Sequence, residues 1–77
     1  MAVERDLVFK PVHLVWAAVD EPSGYVVEIR RASPTNWGWF LIKTADDVVV
    51  DVGYAKAESE AKTAASAAWR KRVELGL

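Results

Sequence analysis

The side chains that could support nucleophilic catalysis are few, because the sequence contains one histidine and no cysteine. A serine nucleophile needs a general base beside it, and His13 is the only imidazole that could take that role. Its partner would be one of four serines, none of which lies in an activating motif: Ser23, Ser33, Ser59 and Ser66. We expect His13 to be a structural or surface residue within a strand. A pair of carboxylates could also do acid–base chemistry, but no spacing marks such a pair, so the sequence predicts no enzyme and no catalytic residue.

A group of acidic residues after the middle of the chain could hold a cation. Asp46, Asp47 and Asp51 lie close together, but their spacing differs from that of an EF-hand calcium loop. The chain also lacks the glycine-rich loop that binds phosphate and the thiolates that bind zinc. We expect these aspartates to belong to a solvated turn, and the sequence predicts no metal site and no cofactor.

Length and composition indicate one small folded domain. The 77 residues are 52% hydrophobic and include four tryptophans, which is enough apolar material for a single core. The N-terminal residues do not resemble a signal peptide, and no apolar run approaches the length of a membrane span. We therefore expect a soluble, cytoplasmic protein with no membrane contact, and the absence of cysteine is consistent with a reducing compartment.

The last third of the chain is the only long helical segment. Residues 57–75 contain no glycine or proline, and alanines recur at steps of three and four residues: Ala57, Ala61, Ala64, Ala65 and Ala68. With Leu75 they form one apolar stripe. Acidic residues come early and basic residues late, as the helix dipole favours, and Gly76 is placed to end the helix. We expect Trp69 at the margin of the stripe, where it would cover a sheet edge or be partly exposed for binding.

Four earlier segments have the alternation or the apolar runs of β-strands: residues 7–19, 25–31, 37–44 and 48–52. Pro11 cannot donate to a sheet, so pairing should begin after it, or it should lie on an edge. Short connections favour an antiparallel meander. The predicted fold is α+β, with a single antiparallel sheet of three to four strands and one C-terminal helix packed across one face. Residues 1–77 form one domain, in which residues 1–6 are a flexible lead, residues 7–54 the sheet and residues 55–75 the helix.

The third predicted strand is apolar on both faces. Its side chains alternate between two sets, which are Trp37, Trp39 and Leu41 on one face and Gly38, Phe40 and Ile42 on the other. A sheet covered by one helix should have one face in water, so two apolar faces are unexpected. We predict that the set with the two tryptophans forms an exposed patch for a protein partner. The competing interpretation is that this set is core, because a one-residue shift of register would exchange the two sets.

Charge is divided unevenly along the chain, although the net charge is only −1. Residues 46–60 hold five acids and one base, and residues 61–77 hold four bases and one acid. The five acids are candidates for steering a basic partner to the patch: Asp46, Asp47, Asp51, Glu58 and Glu60. An ordinary polar surface that aids solubility is the competing interpretation.

The basic residues support an alternative function. A nucleic acid could be bound through phosphate contacts from six side chains: Arg30, Arg31, Lys62, Arg70, Lys71 and Arg72. Nucleic-acid-binding proteins usually carry a basic surplus, which this chain lacks. The favoured interpretation of the basic residues near the C-terminus is a solvated helix end that complements the dipole.

The C-terminal half resembles the end of a double-stranded RNA-binding domain. In that family three antiparallel strands lead into a helix that begins with a Ser-Lys-Lys-x-Ala-Lys type of motif and continues with alanines. The matching stretch is Ala57-Glu58-Ser59-Glu60-Ala61-Lys62, followed by an alanine-rich run through residue 68. The lysines that grip phosphate in the family correspond here to Glu58 and Ser59, and its first helix is replaced by the strand-like residues 7–19. The resemblance implies a similar helix-on-sheet arrangement and argues against transferring the RNA-binding activity.

The chain also resembles small phage and mobile-element accessory proteins, anti-CRISPR proteins among them, in being short, acidic and free of cysteine. Such proteins often occupy a surface on a larger host machine. The predicted function is a non-enzymatic protein-interaction module, in its most concrete form an inhibitor of a host nucleic-acid-processing complex. The alternatives are a nucleic-acid-binding module and a homodimer of unknown role, formed by sheet pairing or by face packing.

Overall fold

The computed structural model describes residues 5–13 and 15–76 and confirms an α+β fold with an antiparallel meander and a C-terminal helix. The elements in chain order are β1 (Lys10–Val12), β2 (Val15–Asp20), β3 (Tyr25–Ser33), β4 (Asn36–Lys43), β5 (Val48–Ala55) and α1 (Glu58–Leu75). The strands lie in the order β1-β2-β3-β4-β5, each antiparallel to its neighbours. The sheet has five strands instead of the three to four expected.

The additional strand arises because residues 7–19, predicted as one strand, contain a hairpin. Val12 pairs with Val15, and the chain reverses through His13, whose φ of 58° lies in the left-handed region. Histidine, like asparagine and aspartate, enters this region more often than other residues with a side chain, but a single histidine is a far weaker turn signal than Asn-Gly or Asp-Gly. Pro11 lies in β1 at the edge of the sheet, where a residue without an N–H is tolerated.

The turn between β2 and β3 is tied to the far end of β4. Gly24 has a φ of 75°, and its N–H donates to the carbonyls of Asp20 and Glu21 at 3.1 Å. The Gly24 carbonyl accepts two hydrogen bonds from Thr44, from the backbone N–H at 3.0 Å and from the hydroxyl at 2.9 Å. These bonds hold the β2–β3 and β4–β5 turns together at one end of the sheet.

One face of the sheet packs against α1 and forms the core. We call it the covered face. Residues that pair across neighbouring strands share a face, and one row of the covered face contains Trp16, Ile29, Trp39 and Gly53. The next row contains Ala18, Val27 and Leu41. The helix lies over β3, β4 and β5, and Leu7 and Phe9, which precede β1, pack against the same core.

The helix meets the sheet through a stripe of small side chains that ends in a large one. Ala61, Ala65 and Trp69 are buried at steps of four residues. Trp69, expected at the margin of the stripe, is fully buried, and its Nε1 donates to Ser23 Oγ at 3.0 Å. A stripe of four-residue steps rotates by about 40° per step around the helix. At its C-terminal end Val73 therefore packs against the core, and Leu75, expected in the stripe, is exposed.

The two ends of α1 are capped differently. Ala57 is the N-cap, in an extended conformation, and makes no side-chain capping bond. Gly76 has a φ of 73°, and its N–H donates to the carbonyls of Arg72 and Val73. The predicted end of the helix at Gly76 is confirmed, because glycine adopts the left-handed cap without a steric cost.

Ion pairs hold the described part of the N-terminal lead. Arg5 pairs with Asp20 at 2.7 Å, and Arg70 pairs with Asp6 at 2.6 Å and also donates to the Arg5 carbonyl. Hydrogen bonds from the Arg5 guanidinium, followed by bonds from Ser23, lower the pKa of the Asp20 carboxyl to about 2. Of the residues predicted as a flexible lead, residues 1–4 lie outside those that the structure describes.

Candidate protein-interaction surface

The aromatic patch predicted on β4 is not exposed. Trp39 is 9% exposed and Leu41 is fully buried, both in the core that α1 covers, and Trp37 is partly buried against that core. The reason is the register, because these residues alternate onto the covered face and Gly53 of β5 leaves space for the Trp39 ring. The prediction that they form an open patch is therefore wrong, and the competing interpretation that they are core is the one observed.

The opposite face of the sheet has no helix over it and is also largely apolar. We call it the helix-free face. Its first row contains Val19, Val26, Ile42 and Val49. Its second row contains Lys10, Ala17, Glu28, Phe40 and Val52. Its third row contains Val12, Val15, Arg30, Gly38 and Tyr54. The only charged side chains in these rows are Lys10, Glu28 and Arg30.

The apolar side chains of this face are open to solvent. Tyr54 is 68% exposed, Val19 is 65% exposed, and Val12, Val49 and Val52 are each about half exposed. Phe40 and Ile42, nearer the centre, are half-buried by their neighbours. Contiguous exposed apolar surface of this kind is uncommon on monomeric proteins and marks interaction sites. The helix-free face is therefore the candidate interaction surface of the chain.

An ion pair lies at the centre of the helix-free face. Arg30 Nε donates to Glu28 Oε1 at 3.0 Å, and the guanidinium carbon lies 5.9 Å from the centroid of the Phe40 ring. Both charged residues belong to β3, the middle strand of five. The Arg30 side chain is 58% exposed, so solvent screens the pair and it contributes little to the free energy of folding.

Two shallow pockets on this face are lined mainly by apolar side chains. One, of about 220 Å³, is lined by Glu28, Arg30, Phe40, Ile42 and Val49. The other, of about 400 Å³, is lined by Val8, Lys10, Val12, Ala17 and Val19. Each combines aliphatic walls with at least one charged group. The face therefore has shallow depressions into which the side chains of a protein partner could fit.

The two edges of the sheet are poorly suited to pairing with a further strand. At one edge β1 has three residues and contains Pro11, which has no N–H to donate. At the other edge, Arg72 donates to the Val50 carbonyl at 3.2 Å, and Asp51 accepts from the Val52 N–H at 2.9 Å. A strand that paired with β5 would have to compete with these side-chain bonds.

The acidic candidates are divided between the β5 region and the start of α1, and none lies in the rows of the helix-free face. Asp46 and Asp47 are exposed in the turn before β5, Asp51 is exposed within it, and Glu60 is exposed in the first turn of α1. Glu58 is half-buried, and its Oε1 lies 3.2 Å from Nζ of Lys62, which covers the Trp16 ring of β2. Only the three aspartates belong to β5 and the turn before it, and the role of all five carboxylates in steering a basic partner stays a prediction.

The basic candidates do not form one surface. Arg30 lies on the helix-free face, and Arg31 pairs with Trp37 on the covered face. Most of the helix candidates have internal partners: Lys62 with Glu58, Arg70 with Asp6 and Arg72 with the Val50 carbonyl. Lys62 Nζ also lies 3.6 Å from the centroid of the Trp16 ring, where it covers that ring by a cation–π contact. Lys71 is exposed.

The residues considered for catalysis lie in a turn or take part in hydrogen bonds that hold the fold. His13 is exposed in the β1–β2 turn, and the Ser23 hydroxyl donates to the Asp20 carbonyl at 3.2 Å and accepts from Trp69. Within residues 5–13 and 15–76 no three potential metal ligands of the His, Cys, Asp and Glu types come together. In the same part of the chain, no helix has the length and apolar character needed to cross a bilayer.

Comparison of the chain with protein-family models, with curated proteins and with solved structures finds no match.

Proposed function

We propose that this chain is a non-enzymatic protein-interaction module that binds through its helix-free face. The observation that carries the proposal is the exposure of an apolar surface that extends across all five strands of the sheet. Burying apolar area at roughly 25 cal/mol per Å² favours association, and a small domain gains little by leaving such a face in water. Aromatic side chains in the surface, Phe40 and Tyr54, are of the kind that anchors protein interfaces.

A narrower form of the proposal is an inhibitor of a host nucleic-acid-processing complex. Its support is the three exposed aspartates of β5 and the turn before it, Asp46, Asp47 and Asp51, which could meet a basic groove on such a partner. The alternative, direct binding of nucleic acid, has less support because its six basic candidates are dispersed over two faces and several are paired internally.

Site-specific photocrosslinking tests the proposal. A photoreactive residue is placed at Val52, which is on the helix-free face, and in a control chain at Leu75, which is 62% exposed and lies on α1. We expect protein adducts from position 52 in lysate that survive nuclease treatment and are several times weaker from position 75.

The absence of protein adducts from position 52 would overturn the proposal. Adducts that disappear with nuclease would overturn it in favour of nucleic acid. That alternative also predicts an affinity for duplex or single strands that falls steeply with added salt.

A further inference from the structure

We infer that the partner of the helix-free face is a second copy of this chain, packed face to face about a two-fold axis. This inference rests on the proposed function and identifies the partner of the same surface. Two features of the face carry it: its charges complement themselves, and its large and small side chains complement themselves.

The charges at the centre of the face are self-complementary. Glu28 and Arg30 lie on the same face of β3, two residues apart and on adjacent rows. Consider a two-fold axis midway between the two facing sheets, perpendicular to the strands and running between the row of Glu28 and the row of Arg30. This axis places Glu28 of one copy opposite Arg30 of the other. The axis generates the same contact twice, as an isologous interface requires. Each guanidinium would then have carboxylates on both sides, which offsets the cost of removing the pair from water.

The same axis matches side-chain sizes. It places the second row of one copy on the third row of the other, so that the Phe40 ring lies opposite Gly38. Val52 of one copy then lies opposite Tyr54 of the other, and Ala17 lies opposite Val15. A bulky ring opposite the one position of these rows without a side chain permits close packing of two sheets, which normally lie about 10 Å apart.

The overlap between the two copies suits a weak dimer. About this axis the second and third rows of one copy lie over the third and second rows of the other, and the first row extends beyond them. Five strands about 4.8 Å apart, overlapping over about four residues of 3.3 Å each, give roughly 24 Å by 13 Å. Two such areas bury on the order of 600 Å² in total, in the range of weak, transient contacts. We therefore expect a dissociation constant on the order of 100 µM, with the dimer populated at high protein concentration.

Paired charge reversals test this arrangement by sedimentation velocity from about 1 µM to about 1 mM protein. We expect the unmodified chain to dimerise over this range. Glu28→Arg gives two like charges at the centre of the face, and Arg30→Glu gives two of the opposite sign, so each variant should repel its own copy and dimerise at least tenfold more weakly. An equimolar mixture of the two should form a heterodimer at least as tightly as the unmodified chain.

The mixing step separates the inference from a loss of fold, because only a contact between copies can be restored by a second chain. Lys71→Glu, a charge reversal on the exposed side of α1, is the matched control and should leave dimerisation unchanged. Circular dichroism checks that each variant is folded. If either reversal unfolds, Val52→Lys replaces it, because Val52 is 48% exposed and outside the core, and it should abolish the dimer.

A chain that stays monomeric at about 1 mM overturns the inference. So does a dimer that neither reversal weakens, or variants that fail to rescue each other although both are folded. Failure of the proposed function itself looks different. A monomer that still gives protein adducts from position 52 in lysate keeps the interaction module and loses the second copy, whereas a chain without any such adducts loses both.

Discussion

Gly53 packs closely against the Trp39 ring of the neighbouring strand, and this contact predicts a large cost for adding one methyl group. A Cβ at Gly53 would lie 2.5 Å from Cε2 and Cζ2 of the Trp39 ring. Carbon atoms in favourable contact are about 3.5 to 4.0 Å apart, so the ring would have to move by about 1 Å. Trp39 is held between the sheet and α1, and it has little room to move.

We therefore expect Gly53→Ala to lower the free energy of unfolding by about 2 to 3 kcal/mol, which is in the range of overpacked cores. For a domain of this size that is a fall in Tm of roughly 10 to 20 °C. Gly38→Ala is the matched control, because it adds the same methyl to the neighbouring strand on the helix-free face. Its Cβ would approach Tyr54 Cε1 at 3.3 Å, and Tyr54 is exposed and can move aside. We expect the control to change stability by less than about 0.5 kcal/mol.

Urea unfolding followed by circular dichroism measures both effects, at about 1 µM protein for all variants so that the proposed dimer does not contribute. Trp39→Phe in the Gly53→Ala background removes the indole atoms that clash, so the two substitutions should be coupled by about 1 kcal/mol or more in a double-mutant cycle. The reasoning fails if Gly53→Ala is no more destabilising than Gly38→Ala, or if the two positions are additive.

Two further predictions concern the ends of the covered face. Ser23→Ala removes the acceptor of the Trp69 Nε1 hydrogen bond and leaves a buried donor unpaired, so it should cost about 1 to 2 kcal/mol in urea unfolding, and an unchanged midpoint would contradict this. The pKa of Asp20 is lowered to about 2 in the folded chain, below its unfolded value of about 4, so its contribution to stability is complete above about pH 4 and is lost as the pH falls toward 2. Because Arg5 is exposed we expect this contribution to be about 1 kcal/mol, and Asp20→Asn should flatten the dependence of stability on pH by that amount; an identical slope in both proteins would refute it.

The elements that could be predicted from the sequence are those with an unambiguous hydrophobic periodicity or an unambiguous terminating residue. Tyr25, Val27 and Ile29 alternate with Val26, Glu28 and Arg30 and lie in the core, as their pattern indicates. The alanine steps and Gly76 likewise predict a C-terminal helix and its end. In each case local preference and tertiary structure agree, which is typical of natural sequences.

The orientation of β4 could not be predicted, because both of its alternating sets of side chains are apolar. Alternation alone does not say which set the helix covers. One signal in the sequence bears on the question. Gly53 pairs with Trp39 across the sheet, so the strand beside the tryptophan lacks a side chain where the ring needs space. Glycine placed opposite a large ring indicates close packing on that face, but the signal can be read only once the pairing register is known.

The first hairpin was missed for a different reason. His13 adopts a left-handed conformation, but the sequence has no clear turn motif at this position. The pattern of residues 7–19 therefore predicts a single strand. The consequence for the candidate surface is substantial, because the exposed valines of β1 and β2 belong to the helix-free face. Trp69 was also misplaced at the margin of the stripe, since the rotation of four-residue steps around the helix becomes important only over several turns.

The residues that block strand pairing at the two sheet edges determine what kind of assembly this chain can form. Proline and short length at β1, and side-chain bonds from Arg72 and Asp51 at β5, discourage the head-to-tail addition of sheets that would propagate into a filament. A face-to-face contact about a two-fold axis buries the apolar face of both copies at once, so assembly stops at the dimer. The proposed dimer therefore covers a broad apolar face without propagating into a larger assembly.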